Sequence, residues 1–145
     1  MDYYFFVMKY DVVIFDLDGT LLDTLDDLTE GVNHALREFG YPLATREQIR
    51  ARLGYGSARL IASSLPEGRD CPMYQQVFDS YFEYYRAHSA DRTRPYPGIM
   101  ELLERLKGLG VRIAAYLRRI RYGQPCANSA AQVNAACTWE TQKWI

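Results

Sequence analysis

Val12-Val13-Ile14-Phe15-Asp16-Leu17-Asp18-Gly19-Thr20-Leu21-Leu22-Asp23 is the stretch that decides the fold. It opens with a run of large apolar residues, the pattern of a fully buried strand in a parallel sheet. The run ends in two carboxylates one residue apart and then a Gly-Thr turn. In an open α/β sheet the carboxyl end of a strand is where ligands sit. An unpaired buried charge is costly, so two acids at that place call for a counter-charge, and a bound metal ion is the simplest.

Downstream of this stretch the apolar spacing becomes helical. Leu25, Leu28, Val32, Ala35, Leu36 and Phe39 recur in steps of three and four, and Gly40 followed by Pro42 stops the helix. Thr45-Arg46-Glu47-Gln48 forms a capping box for a second helix with Ile49 and Leu53 inward. After Gly54-Tyr55-Gly56, Ser57 is expected to cap a third helix that turns Leu60, Ile61 and Leu65 inward. Residues from Leu65 to Asp70 read as a polar loop. Met73, Val77, Phe78, Tyr81, Phe82 and Tyr85 then form an aromatic stripe that reads as core packing.

Arg94-Pro95-Tyr96-Pro97-Gly98 is a stiff, extended connector. Pro97 is expected in the first turn of a helix whose face is Ile99, Leu102, Leu103, Leu106 and Leu109, ended by Gly108 and Gly110. Val111 to Tyr116 reads as a second core strand. The layout is an α/β fold: one βαβ crossover making a partial parallel sheet from residues 8–23 and 91–116, with an all-helical insert over 24–90.

The chain has 145 residues, 48% of them hydrophobic, enough for one ordinary core. A net charge of -1 gives no electrostatic basis for binding nucleic acid or an anionic membrane surface, and no apolar run is long enough to span a bilayer. Cys71, Cys126 and Cys137 have no CxxC spacing and read as reduced thiols of a cytoplasmic protein. Met8 is a plausible start, which makes Met1 to Val7 an upstream extension.

The texture changes at Leu117. The last 29 residues hold one acid, Glu140, against four bases, Arg118, Arg119, Arg121 and Lys143, whereas the 116 before them hold 17 acids and 13 bases. Residues 117–145 lack a clear period and read as foreign to the domain that precedes them.

Asp16-Leu17-Asp18-Gly19-Thr20 after four apolar residues resembles the first motif of the haloacid dehalogenase superfamily of phosphotransferases. Phe39-Gly40-Tyr41-Pro42, Leu53-Gly54-Tyr55-Gly56 and Pro95-Tyr96-Pro97-Gly98 are similar to the helical cap and the return to a Rossmannoid core in its phosphoglycolate phosphatase-like branch. The resemblance implies that Asp16 is a nucleophile forming an aspartyl-phosphate and that Asp18 is the general acid and base. It implies Mg²⁺ held by the Asp16 carboxylate and the Asp18 backbone carbonyl. It implies hydrogen bonds from Gly19 and Thr20 to phosphate, and a small phosphorylated metabolite as substrate. Asp18 favours phosphate chemistry over dehalogenation. Asp23 reads as a helix cap ahead of the other reading, a residue lining the entrance, and His34 and His88 carry no catalytic role. Arg59 is a candidate substrate contact whose plainer reading is a solvated helix-face arginine.

The same resemblance implies a Ser or Thr at the end of the second core strand, then a Lys, then further acids for the metal. Ala115-Tyr116-Leu117-Arg118 stands in the first of these places, and Lys143 and Glu140 lack matching surroundings. The chain therefore reads as a truncated or frameshifted member. The alternative to a Mg²⁺-dependent phosphatase is a non-catalytic remnant that binds phosphate or protein weakly and leaves a sheet edge unpaired.

Overall fold

The computed structural model describes residues 10–116. The expectations placed on Met1 to Met8, on Cys126 and Cys137, and on residues 117–145 lie outside them. In chain order the elements are β1 (Val12–Asp16), β2 (Leu22–Asp23), α1 (Leu25–Glu38), α2 (Arg46–Arg52), α3 (Ser57–Ala62), a 3₁₀ turn (Gly68–Asp70), α4 (Tyr74–His88), β3 (Arg94–Pro95), α5 (Ile99–Gly108) and β4 (Arg112–Tyr116).

β1 and β4 pair in parallel, from Val12 beside Arg112 to Asp16 beside Tyr116. α5 lies on this pair. Leu103 is fully buried with Leu17, Leu21 and Leu22, and Phe15, Ile99, Ile113 and Ala115 pack around them. The helix ends in a Schellman motif: the Val111 N–H donates to the Leu106 carbonyl at 3.1 Å and the Gly110 N–H to Lys107 at 3.0 Å. Gly110 takes the left-handed conformation this turn requires (φ 76°) and aims the chain into β4.

Three expectations fail here. β1 is not buried on both faces: it alternates, with Val12 41% and Ile14 69% exposed. Among the described residues the sheet has two strands and one covering helix, so the face of Val12 and Ile14 has nothing packed on it. Nor does α5 bury its whole apolar stripe, since Leu102 and Leu109 stay exposed. Pro97 precedes the helix rather than lying in its first turn, because left-handed Gly98 is the N-cap.

The helical block has its own core. Val32, Ala35 and Leu36 of α1 meet Val77, Phe78 and Tyr81 of α4, and Ile49, Leu60, Ile61 and Leu65 close the far side. The aromatic stripe of α4 is core, as its spacing indicates. Gly31 permits the close approach of α1 and α4, since a Cβ there would stand 3.3 Å from the Tyr81 ring. The capping box is formed, with the Gln48 N–H donating to Thr45 Oγ1 at 3.2 Å and the Thr45 N–H to Gln48 Oε1 at 2.8 Å. Ser57 does not cap α3. Gly56 occupies the N-cap with no side-chain bond, and Ser57 is the first helical residue. The stretch read as a polar loop holds the 3₁₀ turn and buries Leu65. Cys71 is a buried free thiol 3.0 Å from the Tyr41 hydroxyl.

Sheet and helical block meet at a neck. β2 and β3 pair antiparallel over two positions, Leu22 beside Pro95 and Asp23 beside Arg94. The Tyr96 N–H extends the pairing to the Leu21 carbonyl at 3.1 Å. Among the described residues no helix is long and apolar enough to cross a membrane.

Candidate active site

Asp16 is the last residue of β1, and Asp18 stands two residues on, in the turn. The turn is built on one acceptor: the Leu17 carbonyl receives the Leu21 and Leu22 N–H groups at 3.0 Å each and that of Thr20 at 3.4 Å. Gly19 reverses the chain in the left-handed conformation (φ 75°), and its N–H donates to Leu22 at 2.8 Å. A bridge between Asp18 and Leu22 then docks the start of the neck against the acidic turn. Backbone bonds thus fix both carboxylates at the mouth of the strand.

Asp16 and Asp18 are both solvent-accessible. Although the residue as a whole is exposed, partial desolvation of the Asp18 carboxyl, and secondarily the Asp16 charge, raise its pKa above the ordinary aspartate range. The Asp16 contribution places the two acids within electrostatic reach of each other.

Of the other residues singled out in the sequence, Gly19 and Thr20 lie in the same turn. Their N–H groups donate within the turn, that of Gly19 to Leu22 and that of Thr20 to Leu17 at 3.4 Å, and Thr20 is exposed. Arg59 lies elsewhere, on α3, with its guanidinium carbon 4.1 Å from the centre of the Tyr55 ring. Among the described residues no ion pair or hydrogen bond links it to Asp16 or Asp18. Asp23 stands one residue before Thr24, the N-cap of α1, and its Oδ1 accepts the N–H of Leu25, the first helical residue, at 3.3 Å. His34 and His88 both stack on Tyr84, at 4.0 and 4.2 Å between ring centres; the His34 contact joins α1 to α4, and the His88 contact lies within α4.

Two participants escape the sequence reading. Asp27 is 4% exposed and accepts the Arg92 N–H at 3.0 Å, the Thr93 N–H at 2.8 Å and the Thr93 hydroxyl at 2.7 Å, tying α1 to the returning chain. Its signal was an acid one turn before Gly31, on the inward flank of an amphipathic helix. Arg46 reaches Asp26 at 2.6 Å and Asp23 at 3.5 Å. No local pattern announces that contact.

Asp16 and Asp18 supply hard oxygen donors of the kind Mg²⁺ takes. They fit as two of its ligands. Among the described residues no cluster of three acid, His or Cys side chains joins them. The register puts Tyr116 directly beside Asp16, so the end of β4 borders the site.

A family model described as haloacid dehalogenase-like hydrolase matches residues 13–116. The chain belongs to that family. It is 34% identical to a phosphoglycolate phosphatase of Agrobacterium fabrum, over 71% of this chain and 46% of the relative. It is 35% identical to one of Chromobacterium violaceum, over 67% of this chain and 46% of the relative. The chain thus spans less than half the length of these family members. A solved structure of a predicted phosphoglycolate phosphatase from Haemophilus somnus shares the fold, with a TM-score of 0.77 at 24% identity over 91% of this chain and 62% of that one. Family membership makes the protein a hydrolase relative with phosphatases as its kin.

Proposed function

We propose that this family member serves a Mg²⁺-dependent phosphomonoesterase of the cytoplasm that acts on a small phosphorylated metabolite such as phosphoglycolate. The observation that carries the reading is the placement of Asp16 at the carboxyl end of β1 with Asp18 two residues on, in a turn held by backbone hydrogen bonds. An Asp16 carboxylate oxygen attacks phosphorus, the bond from phosphorus to the ester oxygen breaks, and an aspartyl-phosphate forms. Asp18, holding a proton, gives it to the departing oxygen. As a carboxylate it then takes a proton from the water that attacks the phosphoryl group, releasing phosphate and restoring Asp16. Mg²⁺ held by Asp16 and Asp18 would offset the phosphate's charge. The Thr20 hydroxyl would reach a phosphate oxygen. The helical insert over 24–90 would act as a cap that excludes water, with Arg59 contacting the substrate from it.

The phosphoglycolate phosphatases among the relatives support the substrate class. A second reading, a non-catalytic member, follows from the site itself, because Asp16 and Asp18 have no third metal-binding side chain beside them among the described residues. One assay separates the two. Asp16→Asn should abolish Mg²⁺-dependent hydrolysis of p-nitrophenyl phosphate by the 145-residue protein while leaving its thermal unfolding cooperative. Hydrolysis that survives the substitution overturns the nucleophile assignment, and no hydrolysis by the unaltered chain favours the second reading.

A further inference from the structure

A two-residue antiparallel pair is a weak joint. Two side-chain ties reinforce the neck, and they differ in kind. Asp27 is buried and saturated by Arg92 and Thr93, so it is a fixed tie between α1 and the returning chain. Arg46 is exposed, and its guanidinium spans two acids: Nε donates to Asp26 Oδ1 at 2.6 Å, and Nη2 lies 3.5 Å from Asp23 Oδ2.

The position of Arg46 gives this second tie its consequence. It is the first residue of α2, and the capping box of Thr45 and Gln48 fixes it there. Asp23 is the last residue of β2, directly after Leu22, which bridges to Asp18 and accepts the Gly19 N–H at 2.8 Å. A short covalent and hydrogen-bonded path therefore runs from α2 to the turn that carries Asp18. We propose that Arg46 is a positioning residue: by gripping Asp23 and Asp26 it holds the helical block on β2 and so steadies the Asp18 turn. The inference rests on the reading of Asp18 as the proton carrier. Its experiment reads backbone protection instead of turnover, so hydrolysis surviving Asp18→Asn would defeat that reading and leave this result standing.

The experiment is amide hydrogen exchange by NMR on the full chain, comparing the unaltered protein, Arg46→Ala and Arg46→Lys. In Arg46→Ala the Gly19 and Leu22 amides should exchange about two- to five-fold faster, the range an exposed charge pair supports. The Thr93 amide, held by Asp27, should keep its rate. Arg46→Lys, which keeps the charge, should recover most of the protection. In the unaltered protein about 1 M salt, with a screening length of ~3 Å, should reproduce the alanine result. Unchanged Gly19 and Leu22 rates in Arg46→Ala overturn the proposal. So does equal acceleration at Thr93, which would mean general loosening. If Arg46→Ala does not fold, the salt series decides, and Gly19 protection that ignores salt overturns the proposal.

Discussion

Replacing Asp27 by alanine should be among the most damaging single changes in the described chain. Its carboxylate is the acceptor for the Thr93 N–H, the Thr93 hydroxyl and the Arg92 N–H, contacts that cross 65 or 66 residues of sequence. Thr93 is 1% exposed, so its two donors would be left buried without an acceptor, whereas exposed Arg92 can turn to water. A buried donor left unsatisfied costs about 1–3 kcal/mol, so two together amount to about 2–6 kcal/mol. For a domain of this size each kcal/mol lowers the Tm by roughly 4 °C, which puts the loss at about 8–24 °C. Thr93→Val removes one donor and leaves the N–H bond to Asp27, so its cost should stay near 1.5–3 kcal/mol, about that of one charge-assisted hydrogen bond. Calorimetry or a circular-dichroism melt reads both. A loss under about 1 kcal/mol for Asp27→Ala would refute the reasoning, because it would mean that water reaches the Thr93 donors.

Other outcomes follow from the acidic turn and the half-covered sheet. A carboxyl whose folded pKa is raised binds its proton more tightly in the folded chain than in the unfolded one. Stability is therefore drained as pH rises from the ordinary aspartate range through the raised value. Asp18→Asn should raise the Tm at neutral pH and give no gain at a pH below the ordinary aspartate range, where both states hold the proton; equal Tm gains at both pH values would contradict the shift. Leu103→Ala should cost about 2–5 kcal/mol, since Leu103 is fully buried under the sheet. Ile14→Thr, on the uncovered face, should change stability by less than about 0.5 kcal/mol in a urea melt. A large cost at Ile14 would mean that the face is covered in solution.

The sequence was most legible where order is local. The spacing of Leu25, Val32 and Leu36, the Thr45–Gln48 capping box and the Gly110 terminus each depend on residues within a few positions of one another, and each appears where its pattern indicates. The acidic turn was legible for the same reason. Contacts that bring distant residues together were not. The neck strands span two residues each, too few for a period of two to register. Asp27 meets Thr93 across 66 residues and Arg46 meets Asp26 across 20, with nothing local to mark either partner. The burial of β1 was misread because an apolar run reports what a strand can bury, while the number of elements stacked on it decides what it does bury.

The central claim is that Asp16 takes up a phosphoryl group while Asp18 manages the proton. The most direct measurement is acid-quenched mass spectrometry with peptide mapping of the Asp18→Asn protein after exposure to Mg²⁺ and p-nitrophenyl phosphate, whose leaving group departs without needing a proton from Asp18. Without Asp18 to activate water, the phosphoryl group should be found on Asp16. A chain that carries it at another residue, or carries none while the unaltered protein turns the ester over, contradicts the account.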